Sequence, residues 1–121
     1  MLRILIILDE EEIRTMLRQV LIDEGYDVEE AADPAEGTEL YRKKPADLII
    51  TDMIMPKKEG TETIMDLKRE FPNVKIIAIS EGARVGPEPY LEIADGLGAD
   101  RIFTKPFSVA ELLDAIQRIL T

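Results

Sequence analysis

The chain contains neither cysteine nor histidine. Without thiols there are no disulfides, no thiolate metal sites and no thiol chemistry, and without imidazole a common metal ligand and the commonest general base are missing. Any metal must then be held by oxygen. Basic residues are scarce: 15 Lys and Arg stand against 25 Asp and Glu, for a formal net charge of -10. That balance opposes binding to a phosphate backbone, which needs an excess of Lys and Arg, so direct nucleic-acid binding is not expected. Long apolar runs are absent too. No stretch approaches the ~20 residues that span a bilayer, and the start lacks the basic and small-residue flanks of a secretory signal. A cytoplasmic protein without membrane contact is expected.

What remains is a composition that is 45% hydrophobic and 33% charged over 121 residues. It suits one globular domain, residues 1–121, able to bury roughly 60–70% of its unfolded surface. There is no repeat, linker or low-complexity tract.

The stretch from Ala46 to Pro56 organises the rest. Leu48, Ile49 and Ile50 form an apolar run without helical period, as in a strand covered on both faces of a parallel sheet. Asp52 stands where that run stops, and Pro56 ends regular structure behind it. Before it, Arg3 to Leu8 reads as a first strand. Asp9 and Glu10 follow, then a helix whose apolar side is Ile13, Met16, Leu17, Val20 and Leu21 and which ends near Gly25. Glu11 and Glu12 suit its positive end. Tyr26 to Ala31 reads as a second strand, and Asp33 and Pro34 as the cap and first residue of a second helix closed by Pro45.

Beyond the central strand, Ile64, Met65 and Leu67 mark a third helix, and Val74 to Ile79 a fourth strand ending at Ser80. A Gly-Pro-rich loop at 81–89 precedes a fourth helix at 89–97. Arg101 to Thr104 is a fifth strand, ending at Lys105. Ser108 and Glu111 form a capping box for a fifth helix with Leu112, Leu113, Ile116, Ile119 and Leu120 on its apolar side. Thr51 and Thr104 read as β-formers.

Strands alternating with helices give an α/β fold, a doubly wound parallel sheet with helices on both faces. The flavodoxin-like order 2-1-3-4-5, with five strands and five helices, is expected. Its switch point lies between the first and third strands, so Asp9 and Asp52 should face each other across one crevice. Ser80 and Lys105 fall on the same sheet edge. Two carboxylates about 4 Å apart repel by about 4 kcal/mol at an effective dielectric of 20, which favours a divalent cation between them or an ammonium beside them. Oxygen-only ligation points to Mg2+, and a hydroxyl and a Lys facing it make a place for a phosphoryl group.

Asp9 with Glu10, Asp52 with Pro56 and Gly60, Ser80, and Thr104-Lys105-Pro106-Phe107 together resemble the response-regulator receiver domains of two-component signalling, over the whole chain. The resemblance implies that Asp52 accepts a phosphoryl group from a phosphohistidine on a sensor histidine kinase or phosphotransfer protein. It further implies that Asp9, Asp52 and the backbone carbonyl of Ile54 hold the Mg2+, while Ser80 and Lys105 bind the phosphoryl oxygens. Such a domain catalyses only its own phosphorylation and dephosphorylation, so it is not an enzyme with a separate substrate. It signals by phosphotransfer or by docking a protein partner on the face of the fourth helix, fifth strand and fifth helix. No output domain is expected within these residues.

The sequence departs from the family at four places. The first acid of the usual pair is Leu8, a loss that should weaken Mg2+ binding. Glu10 is a further candidate ligand, although it should point into the helix start. Glu81 sets a carboxylate where the family prefers Ala or Gly. The switch aromatic is replaced by Ile102, and Phe103 faces the opposite side of the sheet. The stretch from Ser80 to Lys105 is longer than usual. These departures keep a second reading open: a receiver fold that binds a protein without being phosphorylated. A flavin protein of the same topology is disfavoured by the acidic loop after the first strand.

Overall fold

The computed structural model describes residues 2–52, 66–80, 99–104 and 106–121. Five strands form one sheet in the order β2-β1-β3-β4-β5. They are β1 (Arg3–Ile7), β2 (Asp27–Ala31), β3 (Leu48–Asp52), β4 (Ile76–Ser80) and β5 (Arg101–Thr104), and every neighbouring pair is parallel. The helices are α1 (Glu11–Asp23), α2 (Pro34–Lys43), a helical segment at 66–70 (α3) and α4 (Val109–Leu120). The expected order is observed. The fourth helix expected at 89–97 lies outside the described residues.

Alternation along the strands builds two apolar layers, one on each face of the sheet. Ile4, Ile6, Leu8, Ile50, Ile79 and Phe103 pack with Leu17 and Leu21 of α1 and Leu112, Ala115 and Ile116 of α4. Leu5, Ile7, Ile49, Ile76 and Ala78 pack on the other side with Tyr41 of α2 and Leu67 of α3. Phe103 and Ile102 do fall on opposite faces: Phe103 joins the first layer, and half-buried Ile102 packs against the second. All five residues of β3 are buried, as a central strand between two helical layers requires.

Local signals explain the element ends. The α1 helix closes on Gly25, at φ 95°, with Gly25 N–H donating to the Ile22 carbonyl and Tyr26 N–H to the Leu21 carbonyl. Because the Tyr26 N–H is spent on this cap, β2 begins at Asp27 rather than Tyr26. Similarly, the Val74 N–H closes a turn onto the Phe71 carbonyl, and β4 begins at Ile76 rather than Val74. At α2 the Asp33 carboxylate accepts from the Glu36 N–H at 2.8 Å, with Pro34 next in line. At α4 the Ser108 hydroxyl accepts from the Glu111 N–H at 3.2 Å. One member of the expected apolar side of α1, Met16, is 39% exposed, because it lies at the margin of the stripe that Leu17 and Leu21 centre.

Gly37 sets the spacing of α2 over the sheet. A Cβ built there would stand 2.5 Å from Ile7 Cδ1 and 2.6 Å from Cγ1. Both residues are buried, so α2 sits closer to β1 than any side chain at position 37 permits. Gly37→Ala is therefore expected to destabilise the protein, because an overpacking cost of about 1–3 kcal/mol outweighs the ~1 kcal/mol by which Ala favours a helix. Urea denaturation checks this. A variant as stable as the parent would mean that Ile7 yields without cost.

Candidate functional site

Parallel strands end on one edge of the sheet, and the polar residues that follow them meet there. Asp52 is the last residue of β3 and is 3% exposed. Asp9 follows β1 across the switch between β1 and β3, and Glu10 stands at the N-cap of α1. Asp9, Glu10 and Asp52 each offer a carboxylate oxygen, and these oxygens all lie within 4.8 Å of one another. Asp9 and Asp52 thus share one crevice, as the strand order requires.

Glu10 corrects the sequence reading. Its side chain makes no capping bond to the helix N–H groups, so it does not point into the helix start. The N-cap backbone is extended, at φ -80° and ψ 109°, and the carboxylate reaches the other two acids instead. Like charges this close are tolerable where water or a cation screens them. Asp9 and Glu10 are exposed and Asp52 is buried.

Three oxygen donors without nitrogen or sulfur suit a hard divalent cation. A Mg2+ ion fits this donor chemistry, with Asp9, Glu10 and Asp52 as the residues that could hold it. Ile54, the candidate carbonyl ligand, lies outside the described residues, as do Lys105 and Glu81. Ser80 closes β4 in register with Thr104 at the end of β5, which brings its backbone to the same edge as Asp52. The Thr51 hydroxyl, at 3.4 Å from the Asp52 carbonyl, makes a local backbone contact, in keeping with a β-former.

Leu8, at the first acid position, is a core residue. It is 1% exposed and packs with Leu17, Phe103 and Leu112. Continuing the β1–β3 register one step past Ile7–Thr51 sets Leu8 level with Asp52. The chain around Asp9 is fixed by contacts that sequence reasoning missed. The Leu8 N–H donates to the Ala31 carbonyl at 3.1 Å, and Arg14 Nη1 donates to the Leu8 carbonyl at 2.7 Å. The only sequence signal for this was a cation one helical turn beyond the acids.

Comparison with known proteins agrees with this geometry. The sequence profile of the response regulator receiver domain matches residues 4–117. The chain is 32% identical over 119 residues to the chemotaxis protein CheY of Halobacterium salinarum, covering 98% of this chain and 97% of that protein. It is 30% identical to the sporulation initiation phosphotransferase F of Bacillus subtilis, covering 98% and 93%. Among solved structures it superposes on the response regulator TrrA of Thermotoga maritima, in complex with Mg2+ and BeF, with a TM-score of 0.85. That pair shares 28% identity over 99% of this chain and 100% of the other. The fold, the shared sheet edge with its acid crevice and the match along nearly the whole length agree: this chain belongs to the response regulator receiver domains of two-component signalling.

Proposed function

We propose that this receiver accepts a phosphoryl group onto Asp52 from a phosphohistidine of a sensor histidine kinase or phosphotransfer protein, in a reaction that requires Mg2+. The observation that carries this reading is the placement of a buried Asp52 carboxylate against the exposed Asp9 and Glu10 carboxylates, with their oxygens within 4.8 Å. An Asp52 oxygen attacks phosphorus while the P–N bond breaks. The imidazole leaves with the electron pair and takes a proton from solvent, and Asp52 becomes an acyl phosphate. A carboxylate is a weak nucleophile, so the rate rests on alignment and on neutralising the charge in transit.

Mg2+, when bound, supplies positive charge to the phosphoryl oxygens and offsets the repulsion among the acids. Asp9 and Asp52 would hold it, with the Ile54 carbonyl and Glu10 as further donors. Ser80 and Lys105 would bind the phosphoryl oxygens. The rigidity of β3, buried along its whole length, keeps Asp52 aligned. Support for these roles comes from the family match and from TrrA, which carries Mg2+ and BeF. The phosphorylated domain then passes the group on or docks a protein on the face assigned to the fourth expected helix, β5 and α4.

The apolar Leu8 favours the second reading, a receiver fold that docks its partner without phosphorylation. Two experiments separate the readings. Asp52→Asn is expected to abolish uptake of a phosphoryl group from a small phosphodonor and Mg2+, read by intact mass, while the circular dichroism stays that of the parent. Equal labelling of variant and parent would remove Asp52 from the chemistry.

Leu8→Asp tests the missing acid. The change takes a buried Leu from the core and sets a fourth carboxylate beside Asp9, Glu10 and Asp52, so the metal-free protein is expected to lose about 3 kcal/mol or more. Divalent affinity in oxygen sites rises with ligand charge, so the deficit should shrink as Mg2+ is added. Melting curves that stay parallel through a Mg2+ titration would make position 8 a core position without influence on the cation.

A further inference from the structure

We propose that Arg14 is a positioning residue for the acid crevice: its side chain holds the backbone carbonyl just before Asp9 and so fixes where the Asp9 and Glu10 carboxylates stand. The inference rests on the Mg2+ and phosphoryl reading above and assigns that site a residue that offers no ligand to the cation itself. The Arg14 side chain is only 14% exposed. Its Nη1 donates to the Leu8 carbonyl at 2.7 Å, while its backbone N–H makes the first bond of the helix, to the Glu10 carbonyl at 3.0 Å, which any residue but proline would make here. The guanidinium is itself held, because Nε donates to Glu30 of β2 at 3.1 Å and the second Glu30 oxygen pairs with Arg18 Nε at 3.0 Å. A turn that leaves a strand and enters a helix is thereby tied to α1 through Arg14 and to β2 through the Leu8 N–H.

The guanidinium suits this task because its planar fork offers donors in two directions at once, one to a carbonyl and one to a carboxylate. A Lys ammonium keeps the charge and loses the fork. Charge and geometry also make opposite demands here. As a bare positive charge on the Leu8 carbonyl beside Asp9, Arg14 would disfavour a bound cation, and removing it would tighten Mg2+ binding. As a clamp, it reduces the freedom the crevice loses on binding, and removing it would weaken Mg2+ binding. The two roles therefore differ in sign.

The test compares the parent chain with Arg14→Lys and Arg14→Gln by nuclear magnetic resonance, first without metal and then through a Mg2+ titration. Without metal, backbone relaxation at Asp9 and Glu10 is expected to show larger fast motion in both variants, and the Leu8 carbonyl resonance is expected to move as its hydrogen bond is lost. With Mg2+, the dissociation constant is expected to rise about tenfold in both. Glu30→Gln leaves the Leu8 bond in place but weakens the anchor of the fork, and is expected to give the same changes at smaller amplitude; it serves if the Arg14 variants do not fold. Tighter Mg2+ binding in Arg14→Gln with no change in Arg14→Lys would reduce Arg14 to a charge and overturn the proposal. A lower melting temperature with unchanged relaxation and Mg2+ affinity would reduce it to a structural residue, with the same result. If the parent takes up no Mg2+, the metal reading fails, and the relaxation at Asp9 and Glu10 still decides whether Arg14 positions them.

Discussion

Carboxylate oxygens held within 4.8 Å of one another are the constraint on which the rest of this structure depends. Each such contact costs on the order of a few kcal/mol when unscreened near a protein surface, so an apolar frame must hold the acids together. That frame is β1 and β3. Ile4 to Ile7 and Leu48 to Thr51 are all buried, and the two strands pair in register up to the edge where the acids emerge. Burial differs within the cluster in a useful way. Asp52 is enclosed at the end of β3, whereas Asp9 and Glu10 are exposed to solvent.

The edge strand β2 carries two further duties. Its acids, Asp27, Glu29 and Glu30, are each paired with an arginine from a neighbouring element, and charge along an exposed edge discourages pairing with a second sheet. Arg3 binds Asp27 and Glu29 at one end of the strand, and Arg14 and Arg18 share Glu30 near the other. The second group bears on the site because Arg14 also holds the Leu8 carbonyl beside Asp9. An exposed ion pair on the far layer, Arg42 with Glu70, joins α2 to α3 and holds the Glu70 carboxyl below its usual range through the hydrogen bond from Arg42. Its exposure leaves it a small contributor to stability.

Leu8 shows how core and site compete for one position. As a side chain it extends the packing of β1 against α1 and α4 to the edge of the sheet, in one apolar cluster with Leu17 and Leu112. As a departure from the family it removes one carboxylate from the crevice. The exchange favours the metal-free fold, since a buried Leu adds about 1.5–3 kcal/mol where an acid would add repulsion. Glu10, at the extended N-cap backbone, sets its own carboxylate in the crevice with Asp9 and Asp52.

Much of this was legible in the sequence because the signals are local or periodic. The apolar run ending at Asp52, the caps at Asp33 and Ser108, and the glycine at position 25 fixed the element types, and alternation of strand and helix left few sheet orders. Given the order, the meeting of Asp9 with Asp52 followed from connectivity. Other features required the folded chain. Strand starts at Asp27 and Ile76 depend on which N–H groups the preceding turns consume, and the direction of Glu10 depends on a backbone angle at the cap. The close seating of Gly37 on Ile7 and the clamp of Arg14 on Leu8 join residues on different elements. Sequence by itself determined which residues are apolar, which are acidic and which end a strand, because those are properties of single positions and their neighbours. Tertiary structure alone decided which carbonyl a guanidinium reaches and how near a helix lies to the sheet, because those distances exist only after the layers have packed.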